Sequence, residues 1–373
     1  MEGYIECYSE YLKIEKLIRS FLKILNFASI PHNYLCGREK LIAPIFIIYT
    51  LVFTFIAMIQ TAKDITDVIL SCVVLSGLIQ IFTKTVSVLA YSEELDDLLT
   101  FIQQVYRVHQ MDFITTVSGL HLKKILFIVN IFLKIIISAY NTTGIGFNFY
   151  SIYTDSIIVA LPGMNDKLNY AKFFVYLHQF IVLQLVILIV LVSESILVVI
   201  GFNFLAIINI FRDMIRHLDN TKVTDKTNFL IEIHKFHCGI LKNFKLFSDI
   251  FGYVFAVQFG TSGIFMLFIF YLIQSDDAVA FLPLYVTLFV QFGVICIFGE
   301  LIFSKTENIF TELYLTKWYE YNVKEQKMLL LIMCMSRRPF GLKAAGMYDI
   351  NILMFFKVVK AGISFCTLLY TFT

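Results

Sequence analysis

Seven stretches of this chain are each apolar over close to the roughly 20 residues that a bilayer crossing requires. That repetition constrains the fold more than any other feature. The stretches lie at 41–60, 66–84, 125–141, 173–193, 250–273, 278–299 and 352–372. Inside a bilayer there is no water to satisfy backbone N–H and C=O groups, so only helices and closed barrels cross it. Runs this long, without strict alternation, read as helices. Composition agrees: 58% of the residues are hydrophobic and 16% charged, against roughly 45–50% and about 25% in a soluble domain. The expected fold class is an all-α membrane protein with seven transmembrane helices.

Lysine and arginine decide which way those helices run. Of the 30, 24 fall in the N-terminal segment and the second, fourth and sixth connections, three in the remaining connections and three within spans. Short loops rich in Lys and Arg stay in the cytoplasm. The N-terminus is therefore expected inside and the C-terminus outside, which is opposite to a G-protein-coupled receptor. The sequon Asn141-Thr142-Thr143 falls on the outer side in this arrangement. Cysteines 7, 36, 238 and 334 lie in inner segments and 72, 296 and 366 in spans, so no outer disulfide is expected. The first forty residues carry charges throughout, so the first apolar run is read as an uncleaved insertion signal.

Several function classes find no support. A secondary transporter would show internal repeats and spans broken near the midplane, but of five prolines only Pro44 and Pro283 lie in spans, both near an end. No Gly-rich phosphate loop or nucleophile elbow appears, and no basic domain that would suit nucleic acid. His234 and His237 are one turn apart beside Cys238, yet Glu232, the nearest acid, points elsewhere on the helix; no metal site is expected. Neither an enzyme nor a cofactor is expected.

The inner connections continue as helices. Leu95, Leu98, Leu99, Ile102, Val105 and Tyr106 keep helical spacing after the second span, and 173–211 reads as a single helix with Glu194 marking its exit from lipid. Leu230, Ile233, Phe236, Ile240, Leu241, Phe244 and Phe247 form a second stripe, and Phe310, Leu313, Tyr314, Trp318 and Tyr321 a third. Such apolar faces need partners. The organisation is then a cytoplasmic N-terminal segment (1–40), spans one to four with cytoplasmic extensions (41–211), a cytoplasmic helical loop (212–247), spans five and six (248–303), cytoplasmic assembly helices (304–345) and a last span (346–373). Glu300, like Glu194, is placed at the membrane interface.

That last span carries Lys357, Lys360, Ser364, Thr367 and Thr371 at spacings of three and four, which sets all five on one helical face. Lipid would leave such a face unsatisfied, so it looks at protein or water. Both lysines lie in the inner half, where they can snorkel towards the cytoplasm.

Three stretches together resemble the insect odorant receptor family: HKFHCGILKNFKLFSDIFGYVFAVQF from His234, CIFGELIFSKTENIFTELYLTKWYE from Cys296, and MSRRPFGLKAAGMYDINILMFFKVVKAGISFCTLLYTF near the end. Phe365 stands where that family more often has Tyr. The resemblance implies a subunit of an odorant-gated, non-selective cation channel in the plasma membrane of olfactory sensory neurons. Such a subunit would form a heterotetramer with the odorant-receptor coreceptor, pass monovalent and divalent cations, and line its pore with the seventh span. The coreceptor has a long insertion in the fourth loop. Here 212–247 is short, so the chain looks like a ligand-specific tuning subunit. A gustatory receptor, a homomeric tastant-gated channel, is the alternative; Ser364-Phe365 and Thr371-Phe372 favour the odorant reading.

The resemblance also places sites. Pore positions of similar proteins fall on Leu368, Thr371 and Phe372; Leu368 and Phe372, four apart, stack on one face and could gate by dewetting. The ligand pocket is expected in the outer halves of spans two, three, four and six. Tyr285, Phe281, Tyr176, Phe180, Ser138 and Ser71 there offer apolar and aromatic walls with a few hydroxyls, which suits a small volatile molecule. At the outer face Asp64, Asp67, Asp155, Asp166, Asp276 and Asp277 outnumber Lys63, Lys167 and Lys172, an excess expected to concentrate cations.

Overall fold

A computed structural model describes residues 3–27, 38–61, 65–155, 157–161, 169–220, 225–272 and 282–372. These residues form ten α-helices and a short hairpin: α1 (Tyr8–Leu25), α2 (Ile42–Thr61), α3 (Ile65–Ala90), α4 (Ser92–Val105), α5 (Asp112–Tyr153), α6 (Asn169–His217), α7 (Lys226–Leu272), α8 (Leu282–Tyr314), α9 (Val323–Ser336), β1 (Lys343–Ala344), β2 (Tyr348–Asp349) and α10 (Ile352–Phe372). Each of the seven apolar stretches falls largely within a helix of its own. Among the described residues α2, α3, α6, α7 and α8 are long and apolar enough to cross a membrane.

The centre of the molecule is α6. Its 49 residues reach about 74 Å at ~1.5 Å each, more than twice the hydrocarbon thickness. Every residue from 189 to 208 is buried. A helix that is apolar all round belongs inside a bundle rather than on its surface, and α3, α5, α7 and α8 all pack on this one.

Beyond the membrane-length portions, α5, α6, α7 and α8 continue into a helical domain joined by α1, α4 and α9. The α4 stripe is sealed: Leu95, Leu98, Leu99, Ile102 and Tyr106 have no exposed surface. In the second stripe Leu230, Ile233, Ile240, Phe244 and Phe247 are buried. The third stripe is only half used. Leu313 and Tyr321 are buried, while Phe310, Tyr314 and Trp318 stay exposed.

The N-terminal segment holds the helix α1, whose Tyr8, Tyr11, Ile14, Ile18 and Leu25 face inward. Tyr11 stacks on Tyr106 with ring centroids 4.4 Å apart and donates to the Leu99 carbonyl at 3.3 Å. Burial pushes both phenols well above the ordinary tyrosine value.

α9 begins with a reciprocal cap: Asn322 accepts from the Glu325 N–H while Glu325 accepts from that of Asn322. After it, β1 pairs antiparallel with β2. Their tight turn takes Ala345 and Gly346 to φ of 49° and 72°, the left-handed region that costs glycine least. The hairpin leans on α7 and α8. Ala345 N–H donates to the Gly252 carbonyl at 2.9 Å, and a Cβ on Gly299 would lie 2.1 Å from the Ile350 carbonyl oxygen. This close seat fixes where α10 starts.

Candidate ligand site and pore helix

The C-terminal ends of α2 and α5 and the N-terminal end of α6 are closed by the segment 157–161, which turns inward after α5. Ile158 and Val159 are 5% and 0% exposed and pack among Tyr49, Phe53, Val74, Phe147 and Val182. An inward-turned loop must satisfy its own backbone, and Gln179 on α6 does this. Its Oε1 accepts from the Ile158 and Val159 N–H groups at 2.8 and 3.3 Å, and its Nε2 donates to Ser151 Oγ at 2.6 Å. The Ala160 N–H donates to the Phe53 carbonyl at 3.2 Å, and Tyr49 Oη lies 2.9 Å from His178 Nε2. Gln179 was not among the residues singled out from the sequence; an amide one helical turn from Tyr176 and Val182 carries no signal until the loop is seen to fold onto it.

Of the expected ligand contacts, Tyr176 donates to Asp155 Oδ1 at 2.7 Å, and Lys172 donates to the other oxygen of that carboxylate, also at 2.7 Å. Asp155, the one of the six aspartates expected at the outer face whose side chain is described, is thus paired. Ser71 is half-buried, while Ser138 and Phe180 are exposed. Phe281 and the side chain of Tyr285 lie outside the described residues, as do Asp64, Asp166, Asp276, Asp277 and the side chain of Asp67. Deeper in the bundle the amide nitrogens of Gln80, Gln184 and Gln258 are buried without a partner.

A buried ionic knot lies below this region. Lys84 on α3 pairs with Glu194 on α6, and both side chains are about 95% buried, with 5% and 6% exposure. The same oxygen, Glu194 Oε1, accepts from Gln291 Nε2 on α8 at 2.6 Å and from Tyr140 Oη on α5 at 3.5 Å. Glu194, expected at the membrane interface, has its side chain buried against α3, α5 and α8, and Lys84, counted at the edge of the second connection, is buried with it; the cost of isolating either charge in an apolar interior is met by bringing them together. Spacing along one chain cannot show a pairing across 110 residues. Removing Lys84 from the inner charge count leaves its bias intact.

The described part of α10 packs on α7 and α8 through one edge: Met354, Phe355, Val358 and Val359 are half-buried and Gly362 is buried. Phe355 meets Phe292 of α8 with centroids 5.4 Å apart. Lys357, Lys360, Ser364 and Thr367 are all exposed on the opposite side. The side chains of Leu368, Thr371 and Phe372 lie outside the described residues, although their backbone completes the helix.

A family model described as 7tm Odorant receptor matches residues 64–362. The chain belongs to this odorant receptor family. It is a family of membrane receptors, not of enzymes. Among relatives of this receptor, Odorant receptor 85b of Drosophila melanogaster is 25% identical over 177 residues, 46% of this chain and 44% of that protein. Odorant receptor 49a of the same fly is 24% identical over 129 residues, 34% of this chain and 33% of its own. The receptor thus aligns with less than half the length of these relatives. In fold it is similar to the insect olfactory receptor OR5 from Machilis hrabei, solved with and without eugenol. The TM-score is 0.79 in both cases at 13% identity, covering 98% of this chain and 100% of that one.

Among the described residues no group of His, Cys, Asp and Glu is arranged to hold a metal. His237 stacks on Phe211 at 4.8 Å, and Cys238 Sγ lies 3.7 Å from His234 Nε2; these side chains take part in helix packing.

Proposed function

We propose that this receptor is the ligand-specific tuning subunit of an odorant-gated, non-selective cation channel. In this reading it crosses the plasma membrane of olfactory sensory neurons seven times, with its N-terminus inside, and joins the odorant-receptor coreceptor in a heterotetramer. The observation that carries the reading is the two-sidedness of α10. One edge packs on its own chain and the other presents Lys357, Lys360, Ser364 and Thr367 unburied. A polar membrane-helix face needs water or protein, and a pore shared among subunits supplies both. Leu368, Thr371 and Phe372 follow on this helix as the pore and gate positions.

The ligand is a small volatile organic molecule held among the outer parts of α3, α5, α6 and α8, with Ser71, Ser138, Tyr176, Phe180, Phe281 and Tyr285 as contacts. The closed-over segment 157–161 and the unpartnered amides of Gln80 and Gln184 support a site inside the bundle rather than on its surface, since buried donors without partners are uncommon. A ligand of a dozen heavy atoms at about −0.4 to −0.5 kcal/mol each binds with a Kd of tens to hundreds of micromolar.

The test is expression with and without the coreceptor, recording cation current evoked by a broad volatile panel with no added G protein. Ligand-dependent current in the co-expressed cells is expected. No current in either case, with the receptor at the cell surface, would sink the channel reading.

A further inference from the structure

We infer that Gln291 is a positioning residue for gating: its hydrogen bond to Glu194 ties α8, and through α8 the pore helix, to α3, α5 and α6, the other helices around the ligand site. The inference rests on the channel reading above.

Glu194 Oε1 gathers donors from three helices other than its own: Lys84 of α3, Tyr140 of α5 and Gln291 of α8. An ionised side chain inside a membrane bundle is costly and is read as functional, with its partner identified. Here the Lys84 pair neutralises the carboxylate and fixes α3 against α6. Gln291 is different, because it adds no charge. Its bond can be given up without stranding an ion, so it is the separable part of the knot.

The next residue along α8, Phe292, packs its ring at a tilt against Phe355 of α10, centroids 5.4 Å apart, and against Phe259 of α7, centroids 5.9 Å apart. Gly293 also faces Phe355, with a Cβ there only 3.7 Å from the ring. A rigid helix cannot move residue 291 without moving 292 and 293. The Glu194–Gln291 bond therefore sets the rotation of α8 about its axis, and that rotation sets the seat of α10. A ligand held among α3, α5, α6 and α8 bears on both sides of this joint. It shifts gating only as far as it binds the joined and released arrangements differently.

The decisive experiment is a mutant cycle on the receptor co-expressed with the coreceptor. Basal current and half-activating concentration would be measured with a panel of volatile alcohols, esters and ketones, and normalised to surface-labelled protein. Q291L keeps the size of the side chain but removes its donors. It is expected to change basal current and half-activating concentration by about fivefold or more. In the neutral background K84M/E194M, where the acceptor at position 194 is absent and no buried ion is left unpaired, Q291L should add nothing. Equal effects in both backgrounds, or none in the wild-type background, would overturn the joint.

If the channel reading itself fails and no current flows, the joint is still tested by cross-linking G293C to F355C in intact membranes with a short bifunctional thiol reagent. The yield is expected to fall when Q291L is added. An unchanged yield sinks the proposal whatever the currents show.

Discussion

His237 shows how one side chain confers a pH limit on the helical domain built from the helix extensions. It is 1% exposed, stacked on Phe211, and its Nδ1 has no partner. Burial, with a smaller push from His234, lowers its pKa to about 4. The sign follows. Above the ordinary histidine value of ~6.5 the ring is neutral in both states and costs nothing. As pH falls from there towards 4, the unfolded chain takes up a proton that the folded domain refuses, so stability drops by about 3 kcal/mol in total. Glu232 is held low by its bond to Lys235, and Glu312 by Arg212 and Arg216 against the pull of burial. Their contribution is present above the ordinary carboxylate range and disappears below it, under about pH 4.3. Thermal midpoints of detergent-solubilised receptor should fall between pH 6.5 and 4.5, and H237F should flatten that slope. An unflattened slope would move the acid sensitivity elsewhere. Gln179 is a second case. Q179L leaves the Ile158 and Val159 N–H groups without their acceptor, a loss of about 1–3 kcal/mol. Amide exchange at these two positions should quicken by about ten- to a hundredfold.

At the scale of elements, the stripes at 95–106 and 230–247 were legible because each repeats at helical spacing against an acidic or basic outer face. The single helix through 173–211 was legible because nothing in it breaks a helix. The third stripe was legible only as a pattern. Phe310, Tyr314 and Trp318 share its spacing but remain exposed, because periodicity shows a face and not what covers it. The hairpin around Gly346 gave no signal in the sequence, since two-residue strands have no period to read. Its importance lies in its seat. Gly299 admits the Ile350 carbonyl where any Cβ would collide with backbone. G299A should therefore cost about 1–3 kcal/mol, read as a lower thermal midpoint and poorer surface delivery. The control is G260A, where a Cβ meets nothing within 4 Å. It should be neutral or stabilising by up to about 1 kcal/mol, because alanine favours the helix. Similar losses at both positions would mean that helix flexibility, not the hairpin seat, is what glycine provides.

For the whole molecule, the question is what the free side of α10 meets. Leu353, Phe356 and Ile363 are exposed on the single chain at 61%, 62% and 48%, and the polar stripe is exposed beside them. Large apolar side chains facing lipid need no explanation, but the serine, threonine and two lysines do. If four such helices surround a pore, the stripe is wet and the packing edge is dry. Charged thiol reagents, which cannot enter a sealed helix interface, separate the two. K360C, S364C and T367C should react in channels opened by ligand and change the current as they do so. M354C and V358C, on the edge against α7 and α8, should stay silent. L368A, one residue beyond Thr367, should then alter basal conductance or ion selectivity, because an apolar constriction gates by excluding water. Uniform reactivity along the helix would leave α10 loosely packed rather than pore-facing. Silence at the stripe with intact currents would place it against a neighbouring subunit, and the conducting path would have to be lined by another helix.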